Sequence, residues 1–233
     1  MMTLLKRLLV ATFLLTPAVS QAQSGPVVLE LFTSQGCSSC PPADAYLADL
    51  LDRDDVLPLA FHVDYWDRLG WKDTFASPEF TARQYAYGKA FQNRSVWTPQ
   101  FVVAGVDYSK GSFRNEVKKF IKDAANKPAQ VGLRAGIQGQ KVVINAEALA
   151  NGLPKMIISI VGYSHKETVK IKRGENAGRT ITYHNTVNSW ETVAAWNGRG
   201  SKSFSAALKI SPPMAVIVQA ENNGPILAAA KLQ

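Results

Sequence analysis

The chain contains two cysteines, Cys37 and Cys40, three positions apart in the stretch CSSC. Cysteines at this spacing can form a redox couple, hold a metal ion or make a structural disulfide. A disulfide across so short a loop stabilises a fold by only about 2 kcal/mol in the chain-entropy model. The pair therefore indicates thiol–disulfide chemistry more strongly than a structural role.

The cysteine pair falls where one predicted element ends and the next begins. The continuous apolar run VVLELFTS before it predicts a buried strand, and ADAYLADLLDR after it has apolar residues at helical spacing. The positive end of a helix at this point would stabilise a thiolate. Because Pro41 and Pro42 follow Cys40 directly, we expect the helix to begin only at one of these prolines, which moves its positive end away from Cys37.

Residues 27–125 alternate between strand-like and helix-like patterns. The predicted order is strand, helix, strand, helix, strand, strand, helix. Ser77 followed by Pro78 predicts the start of the second helix. The last two strands are expected to form a hairpin that turns near Gly105.

After residue 129 the helical period disappears. Short apolar runs follow, separated by Gly, Asn, Pro and Ser turns, as is typical of an all-β sandwich or barrel. We therefore predict an α/β domain over residues 23–128 and an all-β, sandwich-like domain over residues 129–233.

The first 22 residues have the organisation of a secretory signal peptide. Lys6 and Arg7 precede an apolar run, and small residues suit cleavage after Ala22. The apolar run is too short for a comfortable membrane span, although an uncleaved anchor is the alternative. We expect export to the periplasm, where conditions favour a disulfide, and a mature protein that is not embedded in the membrane.

Composition and charge exclude several classes of function. With 46% hydrophobic and 19% charged residues, the chain has the composition of a globular protein rather than a disordered one. The net charge of +8 is modest, and the densest basic stretch, KETVKIKRGENAGR, lacks the interleaved aromatic residues that nucleic-acid binding would require. We expect no nucleic-acid partner and interpret this stretch as a solvated basic face, with an anionic surface or acidic partner as the alternative.

Several longer motifs resemble known families. Thr98-Pro99 immediately before QFVV, together with CSSC and the order of elements between them, resembles thioredoxin-fold oxidoreductases. The stretches ELFTSQGCSSCPPAD, FHVDYWDRLGWKD, TPQFVVAG and RGENAGR resemble a family of secreted bacterial proteins called domain of unknown function 1223, whose N-terminal part is thioredoxin-like. This resemblance covers nearly all of the chain after the leader, and it implies a fold without an established substrate.

The resemblance also implies roles for individual residues. Cys37 would attack a disulfide or thiol partner, and Cys40 would resolve the mixed disulfide. Pro99 would be cis, and the main chain of Thr98 would hold an extended substrate. Glu30 lies roughly where thioredoxins carry a buried acid that handles the proton of the second cysteine, although it is one residue further from the pair. The alternative is that Glu30 is simply paired near the edge of its strand.

A second polar and aromatic cluster, FHVDYWDRLGWKD, begins at the end of the second predicted strand, at the sheet edge that also carries the cysteines. We interpret it as a substrate-binding wall in which Trp66 or Trp71 covers the disulfide and His62 or Asp64 exchanges protons. The alternative is a satisfied core histidine and a loop held by tryptophans. We interpret RGENAGR as a turn between strands, with a recognition site as the alternative.

Taken together, the sequence predicts a periplasmic thiol–disulfide oxidoreductase-like protein with no organic cofactor or resident metal, since the dithiol couple itself carries the electrons. The expected partners are a protein or small thiol and a membrane redox protein that recharges the pair. One alternative is Cu(I) transfer through Cys37, Cys40 and His62, since thiolates favour Cu(I). Another is a non-catalytic envelope binding protein on a thioredoxin-like scaffold, whose function Cys37→Ser would leave intact.

Overall fold

The computed structural model describes residues 25–232, and strands dominate it. Strands account for 44% of the structure and helices for 17%. The predicted signal peptide lies outside the described residues. The α-helices are α1 (Pro41–Ala48), α2 (Pro78–Ala90) and α3 (Arg114–Ala125). The strands are β1 (Val27–Thr33), β2 (Val56–His62), β3 (Gln100–Val103), β4 (Asp107–Lys110), β5 (Val131–Gln138), β6 (Lys141–Ala148), β7 (Met156–Lys170), β8 (Thr180–Trp196), β9 (Ser201–Ala207), β10 (Met214–Ala220) and β11 (Ile226–Leu232).

The predicted order of elements over residues 27–125 is confirmed. The Ser77 side chain caps α2 by accepting a hydrogen bond from the backbone N–H of Glu79. Strands β3 and β4 form the expected antiparallel hairpin, with Gly105 in the left-handed conformation at its turn (φ +66°). Helix α1 begins at Pro41, one of the two positions expected. Local patterns therefore predict the elements of the first half well.

Eight of the strands form one mixed sheet in the order β11-β10-β7-β8-β2-β1-β3-β4. Strand β1 is parallel to β2, β2 is parallel to β8, and the other neighbours are antiparallel. A smaller antiparallel sheet has the order β5-β6-β9.

The predicted fold class, an α/β thioredoxin-like fold followed by an all-β sandwich-like domain, is wrong. The structure is mostly β, with three α-helices among the described residues, and strands from both halves of the chain share the large sheet. The halves join where β8 lies beside β2, with Ala60 opposite Thr186. There the Asn185 side chain donates a hydrogen bond to the Pro58 carbonyl at 2.9 Å, adding a link beside this short stretch of pairing.

The predicted domain boundary at residues 128–129 falls between α3 and β5 and stays a prediction. The large sheet takes strands from both sides of it. In the second half, two strands are much longer than the short runs that the sequence predicts, namely β7 of 15 residues and β8 of 17 residues.

Both faces of the large sheet are covered. Helix α2 packs on one face, where buried residues of β1, β2, β7 and β10 meet Phe80 and Tyr87. Alternate residues of the same strands point to the opposite face, because successive side chains of a strand alternate. There α1 and α3 cover β1 and β3, and the smaller sheet covers β7, β10 and β11. The core is therefore continuous across the two halves of the chain.

A buried ion pair lies on the α2 face. Glu30 of β1 is fully buried and accepts a hydrogen bond from Arg83 of α2 at 2.6 Å, and the Tyr87 hydroxyl donates to its other oxygen. Arg83 also donates to Gln219 of β10 and lies 3.9 Å from the ring centre of Trp190 in β8. This network links elements from both halves of the chain.

We expect Arg83→Met to lower the free energy of unfolding by about 3–5 kcal/mol, because it leaves the Glu30 carboxylate buried without its cation. Denaturant unfolding measures the change. Arg53→Met is the matched control, since its pair with Asp55 is exposed and such pairs are worth about 0–1 kcal/mol. Equal losses in the two variants would show that the buried pair does not stabilise the fold.

Candidate functional site

The site centres on a disulfide between Cys37 and Cys40, in the loop that joins β1 to α1. Cys40 is the N-cap residue of α1, so the pair lies at the start of a helix, as the sequence predicts. Both cysteines have an exposed fraction of 0%, whereas Ser38 and Ser39 between them are exposed. The disulfide is therefore close to the surface but covered by its neighbours.

The segment after β2 holds the beginning of this loop. A carboxylate oxygen of Asp73 accepts the backbone N–H of Gln35 at 2.7 Å. The Gln35 side chain accepts a hydrogen bond from Trp71 Nε1 and donates one to the Thr74 hydroxyl. Because Asp73 and Gln35 are both buried, these bonds are shielded from water and fix the path of the chain into the cysteine pair.

The loop between β7 and β8, which contains RGENAGR, covers the cysteines from the other side. The buried Asn176 amide donates to the carbonyl oxygens of Gln35 and Cys37, at 3.0 and 2.8 Å. Glu175 accepts the backbone N–H of Ser38 at 3.0 Å, and hydrogen bonding from the side chain and then the backbone of Ser38 lowers the pKa of the Glu175 carboxyl. The loop is a turn between strands, and it also binds the CSSC backbone. We call residues 171–179 the covering loop.

Two of the predicted substrate-binding residues lie together. The Trp66 Nε1–H donates to the Thr98 hydroxyl at 2.7 Å. The Cβ of Trp66 would lie only 3.2 Å from a Cβ built on Gly36, so this tryptophan packs against the residue before Cys37. The peptide bond between Thr98 and Pro99 is cis, and Pro99 is buried just before β3. Trp66 thus connects the cysteine loop to Thr98.

The structure places His62 in the core. Its side chain is fully buried at the end of β2, and its Nδ1 lies 2.8 Å from Asp73. Its ring packs edge-on between Phe75 and Tyr183. The structure therefore buries His62 beside Asp73, the residue that binds the cysteine loop at Gln35. In this position His62 has no access to a substrate at the surface.

Asp64 and Glu30 have partners away from the cysteine pair. Asp64 accepts a hydrogen bond from the Thr81 hydroxyl at 2.6 Å, and its own N–H donates back to that oxygen, which ties the end of β2 to α2. Glu30 belongs to the ion pair with Arg83 on the α2 face. Thr33, three residues later in β1, points to the opposite face and contacts α1. The structure does not bring Glu30 to the side of the sheet on which α1 lies.

The buried acid on the α1 side is Asp44, which the sequence interpretation missed. Asp44 is 5% exposed and accepts a hydrogen bond from the Thr33 hydroxyl at 2.8 Å. Burial raises the pKa of the Asp44 carboxyl to about 7, while the nearby His62 and the bond from Thr33 act to lower it. The signal in the sequence is an aspartate four residues after Cys40, next to the apolar positions that α1 buries.

Two further features bear on cofactors and membranes. Within residues 25–232, no three or more His, Cys, Asp or Glu side chains are grouped to hold a metal ion. The helices of this part of the chain are too short or too polar to cross a bilayer.

Comparison with known proteins identifies a family. The family model described as "Protein of unknown function (DUF1223)" matches residues 28–220, so the chain belongs to that family. The crystal structure of protein AGR_C_4864 from Agrobacterium tumefaciens is similar, with 31% identity, a TM-score of 0.77, and coverage of 91% of this chain and 95% of that one. HBP35 of Porphyromonas gingivalis shares the fold at 17% identity and a TM-score of 0.59, over 89% of this chain and 74% of that chain. No curated protein matches.

We expect Asn176→Ala to make the disulfide easier to reduce, since it removes the two hydrogen bonds that the Asn176 amide donates to the carbonyl oxygens of Gln35 and Cys37. Loss of such bonds to buried groups costs about 1–3 kcal/mol, so reduction by a small dithiol should accelerate about tenfold or more. Alkylation of the released thiols followed by mass spectrometry gives the rate. Asn188→Ala, at an exposed position of β8, is the matched control. Equal rates for Asn176→Ala and the control would contradict a covering role.

Proposed function

We propose that this member of the DUF1223 family exchanges disulfides with a protein or small-molecule thiol through Cys37 and Cys40. The observation that best supports this function is the disulfide at the start of α1, with two exposed serines between its cysteines. The positive end of the α1 dipole favours a thiolate at this end of the helix, while Pro41 and Pro42 contribute no backbone N–H to it.

A purely structural role explains the disulfide less well. The loop is already held by Asp73 at Gln35, by Asn176 at two carbonyl oxygens and by Glu175 at Ser38. A disulfide across three residues adds only about 2 kcal/mol. Without the disulfide, the loop would still be held by these hydrogen bonds. The disulfide therefore adds little to the stability of the fold.

The contacts of the two sulfurs favour Cys37 as the attacking residue. The Cys37 sulfur lies 3.4 Å from the Ser39 hydroxyl, which can donate a hydrogen bond to a thiolate. Cys37 also precedes the exposed residues Ser38 and Ser39, whereas Cys40 is the N-cap residue from which α1 continues into the core. In this assignment Cys40 resolves the mixed disulfide.

The partner would bind beside Trp66, Thr98 and Pro99. Trp66 is half-buried between the cysteine loop and Thr98, and Thr98 is half-buried beside the cis peptide bond. An extended segment of a partner protein laid along the Thr98 main chain would present its disulfide to Cys37. His62 and Asp64 take no part in this surface, since both are bonded within the protein.

The proposed compartment is the periplasm, as the leader sequence predicts, where a membrane redox protein would recharge the pair. An oxidising compartment also suits the disulfide in the structure. Cu(I) transfer by the reduced cysteines is the alternative function, and the same experiment separates the two.

Equilibration of the purified protein against glutathione tests the proposal. We expect a reversible two-electron titration of the cysteine pair between roughly −300 and −100 mV, the range of exchange proteins. Cys37→Ser should abolish exchange, and Cys40→Ser should accumulate a mixed disulfide at Cys37. A pair that stays oxidised throughout would refute exchange, and tight retention of stoichiometric Cu(I) by the reduced protein would support copper transfer instead.

We expect Ser39→Ala to raise the pKa of the reduced Cys37 thiol, because the thiolate loses a hydrogen-bond donor. Hydrogen bonds to charged groups are worth about 1.5–3 kcal/mol, so alkylation of Cys37 near neutral pH should slow about tenfold. Ser38→Ala is the matched control, since Ser38 is also exposed but its hydrogen bonds go to Glu175 and not to the Cys37 sulfur. Equal alkylation rates would show that Ser39 does not stabilise the thiolate.

A further inference from the structure

A buried acid lies one helical turn from Cys40. The backbone N–H of Asp44 donates to the Cys40 carbonyl oxygen at 3.1 Å, which places the two residues in successive turns of α1. Helical side chains lean toward the N-terminus of their helix, so the Asp44 carboxyl leans toward the turn that holds Cys40. Both residues are buried, and water therefore competes little for a proton passed between them.

The polar groups around Asp44 are incompletely paired. One Asp44 oxygen accepts the Thr33 hydroxyl, but the other is buried and has no hydrogen-bond partner among residues 25–232. Within the described part of the chain, the Nε2 atom of the buried His62 has none either, although its Nδ1 is bonded to Asp73. Buried polar atoms without partners are costly, so each needs an explanation, and a catalytic role is one. Asp44 and His62 lie close enough for His62 to lower the pKa of Asp44, and Asp44 lies one turn along the helix from Cys40, whose proton must leave when the disulfide forms.

Resting on the exchange reaction proposed above, we propose that Asp44 is the acceptor of the Cys40 thiol proton, with His62 and Asp73 as positioning residues. Asp73 fixes the His62 ring through Nδ1 and also holds Gln35 of the cysteine loop. Thr33 fixes one Asp44 oxygen and leaves the other available for the proton.

The step conserves atoms and electrons. The Cys37 thiolate first attacks a partner disulfide, forming a mixed disulfide and releasing one partner thiolate. Asp44 then takes the proton of the Cys40 thiol, and the Cys40 sulfur attacks the Cys37 sulfur. The Cys37–Cys40 bond forms, the bond from Cys37 to the partner breaks, and the partner leaves as a second thiolate. The protein dithiol is oxidised, and the partner disulfide is reduced.

The charge state of Asp44 suits this role near neutral pH. Burial raises the pKa of its carboxyl to about 7, so the proton-accepting form increases as the pH rises through 7. The titratable groups that face it are His62 on β2, Asp73 on the following segment, Tyr183 on β8 and Cys40 on its own helix. The rate of proton transfer from the Cys40 thiol to Asp44 should therefore rise over the same pH range.

The experiment uses the reduced, full-length protein and a chromogenic aromatic disulfide that releases a coloured thiolate. The first release reports attack by Cys37, and the second reports resolution by Cys40. We expect Asp44→Asn to leave the first release unchanged and to slow the second about 100-fold at pH 7, the lower end of general-base effects. In the wild type the rate of the second thiolate release should rise as the pH passes about 7. In the variant this rate should rise only near the ordinary thiol pKa of about 8.5.

Asp49→Asn, an exposed aspartate at the other end of α1, is the matched control. If the wild type releases neither thiolate, the exchange reaction itself is wrong, and this inference fails with it. If the wild type releases both and Asp44→Asn stays within about twofold at every pH, exchange stands and the role of Asp44 is overturned. The wild-type pH profile tests the role without any variant, since a second rate that is flat through pH 7 would also overturn it.

Discussion

The conformation of the cysteine loop depends on side chains that are distant in sequence and bind its backbone. Asp73 binds the N–H of Gln35, Asn176 binds the carbonyl oxygens of Gln35 and Cys37, and Glu175 binds the N–H of Ser38. Two of these groups come from the covering loop, more than 130 positions further along the chain. The CSSC stretch is therefore not a self-contained motif here, because its backbone groups are satisfied only when both halves of the chain are folded.

The hydrogen bonds from the covering loop to the cysteine loop require the two halves of the chain to share one sheet. The covering loop joins β7 and β8, which are 15 and 17 residues long, and it reaches the cysteines only because β8 lies beside β2. The junction has a single pair of opposed residues, helped by the Asn185 bond to Pro58. The buried network of Glu30, Arg83 and Gln219 ties the same halves together on the other face. The site therefore forms only when strands of both halves join in one sheet.

Sequence patterns predict the local elements but not their assembly. The strand, helix and hairpin signals over residues 27–125 depend on neighbouring residues, and the structure confirms their order. The pairing of β2 with β8 depends on contacts far apart in sequence. Pro58 inside β2 argues locally for an edge strand, since proline lacks the N–H that a ladder needs. Local signals therefore favour an α/β half followed by an all-β half, and the resemblance makes the first half thioredoxin-like. That predicted fold class is wrong.

Prediction from the sequence has the same limit for individual residues of the candidate site. Cys37, Cys40, Thr98 and Pro99 are visible as motifs, whereas the choice of buried acid depends on which face of the sheet a strand residue occupies. Glu30 lies an odd number of positions from Thr33, so alternation sends the two side chains to opposite faces.

Asp44 reaches the α1 side from the helix instead, and Thr33 and His62 meet it there. Burial raises the pKa of Asp44, and the residues around it come from β1, β2 and β8, namely Thr33, His62 and Tyr183. The proton affinity of Asp44 is therefore set by packing between elements of both halves of the chain.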